Sequence, residues 1–75
     1  MYGGAVPTHR YRIVVSGALG KVGHEVFWDL RVESNGANTA LTGDLDETAL
    51  YDVLDRILIL GLELVELSRL PERTQ

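Results

Sequence analysis

The sequence predicts an α+β domain in which four antiparallel strands form one sheet and two helices cover one face. Three observations carry this. Apolar residues alternate with period two in segments near the start, middle and end of the chain, as strands require. One segment in the second half places Leu50, Val53, Leu54 and Ile57 at i, i+3, i+4 and i+7, the core stripe of an amphipathic helix. Between two of the strand-like segments stands Asn35-Gly36, a strong short-range hairpin signal.

The elements follow in order. Residues 1–8 are Gly-rich with one Pro and no periodicity, and read as a disordered tail. Order is expected over 9–70 as a single domain. The first strand is His9 to Ser16, with Tyr11, Ile13 and Val15 on one face and Arg10, Arg12 and Val14 on the other. Gly17 ends it.

The next stretch has two readings. A helix from about Leu19 to Trp28 puts Leu19, Val22 and Val26 on one stripe with Phe27 beside them, weakened by about 1 kcal/mol for each of Gly20 and Gly23. A strand alternates Val26, Trp28, Leu30 and Val32 with charged residues, and only Phe27 offends. Both agree on a strand over Leu30–Ser34. A type I′ turn at Asn35-Gly36 leads to a return strand from Ala37 to Gly43.

Asp44 or Asp46 caps the main helix; with Asp44 as the cap, Glu47 completes an acidic capping box. The helix runs to about Leu60. Gly61 occupies the position after it, where a left-handed residue ends helices. Leu62 to Leu70 is the last strand, Pro71 stops it, and 71–75 read as a frayed end. With the first helix accepted, the order is βαββαβ, a ferredoxin-like arrangement. The alternative is an antiparallel sheet with a single helix.

The 75 residues permit one domain. Leu, Ile, Val and Phe together number 24, enough for a core. A chain this short buries only about 60% of its unfolded surface, so small domains are commonly stapled. Cysteine is absent, which excludes disulfides and thiolate metal sites and leaves oligomerisation as the common staple.

The net charge is −4, with residues 1–43 near +1 and residues 44–75 near −5. Nucleic acid is not an expected partner, because phosphate affinity comes from clustered Lys and Arg. Arg10 and Arg12 are the densest basic pair and read as a solvated strand start. No segment has the roughly 18 apolar residues of a membrane span. The start of the chain lacks a secretory signal pattern, so a cytoplasmic location is expected.

Chemistry-bearing motifs are sparse. Gly17-Ala18-Leu19-Gly20-Lys21 fails as a phosphate loop, because Val15 stands where the first Gly belongs and Val22 where Ser or Thr belongs. His9 and His24 lack the further ligands a metal site needs. Ser16 and Ser34 have no base at a useful spacing. The carboxylates Asp44, Asp46, Glu47, Asp52 and Asp55 do not follow a calcium-loop order and read as a capped, solvated helix face. No catalytic residue, metal or cofactor is expected, and the chain reads as a non-enzyme.

One feature stands outside a single core. Ile59 points opposite the core stripe of the main helix, and Leu58 and Tyr51 flank that side. These three, with Trp28 where it reaches the surface, are the expected contact residues for a protein partner. That partner is a second copy or a larger protein of which this chain is an accessory subunit.

Two resemblances bear on this. Topology and the first-loop glycines Gly17, Gly20 and Gly23 resemble ACT-type regulatory domains, which implies small-molecule sensing with a ligand near those glycines. A fuller pattern runs through Gly17-Ala18-Leu19, Phe27, Asp29-Leu30-Arg31-Val32, Thr39-Ala40-Leu41-Thr42-Gly43, Ala49-Leu50-Tyr51, Leu54, Arg56-Ile57 and Leu60-Gly61-Leu62-Glu63-Leu64. Over residues 11–70 it resembles short uncharacterised actinobacterial proteins, which implies a fold and no activity. Those proteins tend to be polar after Arg56-Ile57, where Leu58 and Ile59 stand in this chain.

Overall fold

A computed structural model describes residues 7–71. The elements are β1 (His9–Ser16), α1 (Gly20–Val26), β2 (Arg31–Ser34), β3 (Asn38–Leu45), α2 (Glu47–Ile59) and β4 (Leu64–Arg69). The four strands form one antiparallel sheet in the order β2-β3-β1-β4, the ferredoxin-like arrangement. Of the expected disordered ends, residues 1–6 and 72–75 lie outside the described residues.

The period-two faces of β1 are those read from the sequence. Ile13 and Val15 are fully buried, and their partners across β3 are Leu41 and Thr39. Directly opposed residues of antiparallel strands share a face. Leu41 is also fully buried, and the Thr39 hydroxyl donates to the Gly17 carbonyl at 2.7 Å. A hydroxyl inside the core is tolerated because it is bonded. The rest of the core is Phe27, Leu45, Leu50, Val53 and Ile57.

The ambiguous stretch is a helix, shorter than the expected Leu19–Trp28. Phe27 decides it: its side chain is fully buried, whereas a strand through Trp28 and Leu30 would turn it away from them. Gly23 is buried in α1, and a Cβ there would collide with the Leu19 side chain. This glycine therefore lowers helix propensity and permits the close turn.

The hairpin is present with its turn shifted by one residue. The β2–β3 register pairs Ser34 with Thr39, and the Asn35 N–H donates to the Asn38 carbonyl at 3.0 Å. The two central residues are thus Gly36 and Ala37, not Asn35 and Gly36. Gly36 has φ 90°, and no non-glycine residue among the described residues has positive φ. One positive φ at the first central position is the type II′ pattern, so the type I′ expectation is corrected. The ladder register outweighed the local preference of the Asn-Gly pair.

Asp46 is the cap of α2, and its carboxylate accepts from the Ala49 N–H at 2.7 Å. Asp44 lies in β3, so the capping box does not form. Asp46→Ala is expected to cost about 1 kcal/mol, read as a lower urea midpoint with an unchanged slope. At the other end, Gly61 N–H bonds the Leu58 carbonyl and Leu62 N–H bonds the Ile57 carbonyl, both at 3.0 Å. With φ 73° at Gly61, this is a Schellman motif, and it returns Leu62 to pack against the core.

The last strand starts later than expected, at Leu64, and it contains a bulge. Val14 pairs with Glu66 and Val15 with Leu64, which leaves Val65 outside the ladder. The bulge lets Leu64 and Leu67, an odd number of residues apart, both turn to the helix-bearing face.

Candidate functional site

The face of the sheet opposite the helices carries Arg10, Arg12, Val14 and Ser16 from β1 and Asn38, Ala40, Thr42 and Asp44 from β3, with Val14 buried among its neighbours. Arg31, Glu33, Glu66 and Ser68 flank them. No aromatic stands among these residues, whereas sheets that bind single-stranded nucleic acid stack bases on aromatics. Its arginines face carboxylates: Arg10–Asp44 at 4.0 Å, Arg12–Glu66 at 3.5 Å and Arg31–Glu33 at 3.4 Å. Exposed pairs of this kind contribute little stability, but they leave the face without a basic surplus.

The glycines of the first loop have backbone work to do. Gly17 leaves β1 with φ 97°, its N–H bonds the Ala37 carbonyl at 2.6 Å and its carbonyl receives the Thr39 hydroxyl. Gly20 opens α1 with φ 62°. A Cβ at Gly17 or Gly20 would meet nothing within 4 Å, so the space directly beside each is open among the described residues.

A depression of about 340 Å³ lies at the far end of β1, lined by Pro7, His9, Tyr11, Glu47 and Arg69. Arg69 and His9 are 2.8 Å apart there, and the Tyr51 hydroxyl donates to Glu47 at 3.4 Å. No group of three or more His, Asp or Glu side chains among the described residues could hold a metal ion.

The densest polar cluster ties the two helices together. Arg56 of α2 forms a two-pronged pair with Asp29, at 3.0 and 3.2 Å. It also donates to the Val26 carbonyl at 3.1 Å and to Asp52, one turn back, at 2.7 Å. The hydrogen bonds from Arg56 hold the Asp29 carboxyl below its ordinary range, and Asp29 together with Asp52 raises the guanidinium in turn. Asp52 with Arg56 was readable as an i, i+4 pair. Asp29 was not, because it lies 27 residues away and no local pattern joins them.

The four expected contact residues are all at the surface: Tyr51 is 60% exposed, Leu58 75%, Ile59 76% and Trp28 77%. The structure does not bring them together. Side chains advance about 100° per residue round a helix, so Tyr51 and Leu58 stack on one side of α2 and Arg56 lies nearly opposite. Arg56 faces α1. In this strand order the β3–β4 connection carries α2 over β1, and the β1–β2 connection carries α1 over β3. The Tyr51–Leu58 side of α2 therefore looks toward β4. Ile59 crowns the helix, and Trp28 sits beside Asp29 on the α1 side.

What sequence reasoning missed is β4. Leu64, Val65 and Leu67 are each about half exposed, and they lie on the edge strand toward which the Tyr51–Leu58 side looks. The signal was in the text of the chain, as Leu60, Leu64, Val65 and Leu67 following Leu58 and Ile59. An edge strand looks like any other strand until the sheet order is known.

No curated protein matches the chain, and no solved structure does. No helix among the described residues is long and apolar enough to cross a membrane. A family model described as a domain of unknown function, DUF8691, matches residues 10–68, from the second residue of β1 to the penultimate residue of β4. The chain belongs to the DUF8691 family.

Proposed function

We propose that this chain is a non-catalytic protein-interaction module that acts by associating with itself. One observation carries the reading. Of the nine exposed large hydrophobic side chains among the described residues, six fall within ten positions: Leu58, Ile59, Leu60, Leu64, Val65 and Leu67. Scattered apolar residues are ordinary on a surface, whereas a contiguous group marks a contact. The group belongs to the end of α2 and to the edge strand that follows it, and we read it as one surface. A chain of this size without a crosslink also gains most from burying such a surface in a second copy.

Light scattering on a sizing column tests this. The parent chain is expected to elute as a dimer, and Leu58→Lys with Ile59→Asp as a species of 8.3 kDa with unchanged circular dichroism. A parent that is monomeric at millimolar concentration defeats the reading. An ACT-type sensor would instead be stabilised by an amino acid or nucleotide in a thermal-shift screen. The open space beside Gly17 and Gly20 offers such a ligand approach to backbone groups.

A further inference from the structure

We infer that two copies join through β4, antiparallel and in one register, with the twofold axis between Leu67 and its counterpart. This rests on the self-association reading above and gives it a geometry. The sheet has two edges, and they differ. The β2 edge is four residues long and carries exposed Arg31 and Glu33, features that discourage pairing. The β4 edge also carries exposed charges, Glu66 and Arg69, and the bulge at Val65, but it is six residues long and half apolar, with Leu64, Val65 and Leu67 exposed.

Backbone direction restricts the register. Leu70 donates its N–H to the Arg10 carbonyl, toward β1. Alternation along the strand turns Ser68 and Glu66 the same way, so the N–H and C=O groups of Leu67, between them, point out of the sheet. A twofold axis perpendicular to a continuous sheet must set one residue opposite its own copy. An axis at Glu66 opposes two carboxylates, which is repulsive. An axis at Val65 or Ser68 leaves only three strand residues overlapping. An axis at Leu67 pairs Val65 through Arg69 and lets the outward groups of Leu67 bond their counterparts. It also sets Glu66 across from Ser68 of the copy, in the row that continues to Arg12.

The same axis places Leu67 beside its copy on the helix-bearing face, below the side of α2 that holds Tyr51 and Leu58. The result is a continuous eight-stranded sheet, twice the four of one copy, that ends at the blunt β2 edges. It closes as a dimer and does not extend into a filament.

The chain has no cysteine, so introduced thiols report without background. Glu66→Cys and Ser68→Cys chains are oxidised with glutathione disulfide, separately and after mixing. In the proposed register the thiol of the Glu66→Cys chain faces the thiol of the Ser68→Cys chain, at about 4.5 Å between Cα atoms, whereas like positions lie on a longer diagonal. The mixture is expected to give covalent dimer at least ~10-fold above either variant alone. Covalent dimer from Glu66→Cys alone, or from Ser68→Cys alone, in an amount equal to that from the mixture overturns the register. A parent that is dimeric by light scattering yet gives no crosslink in any sample overturns the β4 edge and leaves self-association standing. A monomeric parent overturns both.

Discussion

Phe27→Ala is expected to leave little folded protein at physiological temperature. Phe27 is the largest fully buried side chain, and it closes the core where α1 meets the sheet. Truncating a buried Phe costs about 3–5 kcal/mol, because transfer free energy and a residual cavity add. A domain of 75 residues holds roughly 4–11 kcal/mol in total at the usual 0.05–0.15 per residue. One side chain therefore carries a large share of it. The measurement is a thermal melt by circular dichroism at fixed protein concentration, since self-association would make the midpoint concentration-dependent. A fall of about 15 °C or more is expected, from about 4–8 °C per kcal/mol in a domain this small. The neighbouring Trp28→Ala serves as control: at 77% exposure it is expected to change stability by no more than about 0.5 kcal/mol. Equal losses for the two would contradict the burial assigned to Phe27.

Arg56→Ala is the second large effect. The guanidinium joins Asp29, Asp52 and the Val26 carbonyl, so its removal loosens α2 from the end of α1 and leaves two carboxylates without their cation. Hydrogen bonds to charged groups are worth about 1.5–3 kcal/mol when shielded. The side chains of Arg56 and Asp29 are 23% and 28% exposed, so solvent screening discounts the sum. A net loss of about 2 kcal/mol is expected in urea melts. Arg56→Lys should recover only part of it, because an ammonium cannot supply the planar fork that Asp29 accepts.

The same cluster sets an acid dependence. Hydrogen bonding from Arg56 lowers the native Asp29 carboxyl below its ordinary value of 3.8. A carboxyl depressed in the native state binds protons less readily there than in the unfolded chain. Its contribution is full above the ordinary value and is lost as the pH falls through the lowered native value. Urea midpoints followed down through that range should drop more steeply for the parent than for Asp29→Asn. Parallel curves would remove the Asp29–Arg56 pair from the account.

Local pattern alone determined a good part of this protein. The alternation of Tyr11, Ile13 and Val15, the Leu50–Ile57 stripe, the Asp46 cap and the Gly61 stop each depend on residues within a few positions of one another. Such features report the backbone they impose wherever they occur. The exposure of Leu58 and Ile59 was also legible, because one core stripe can occupy only one side of a helix.

The sheet decided the rest. It moved the hairpin turn to Gly36-Ala37, since the β2–β3 register had to bring Val32 opposite Leu41. It made Gly20–Val26 of the 19–28 stretch a helix, since the core had room for Phe27 just after it and none of the local periods could say so. It placed β4 at an edge, which made Leu64, Val65 and Leu67 surface residues, although their pattern is that of an interior strand. It also brought Asp29 to Arg56 across 27 residues. Each of these depends on which segments become neighbours in space, and neighbours are chosen by the free energy of the whole packed core, a quantity no short window of sequence contains.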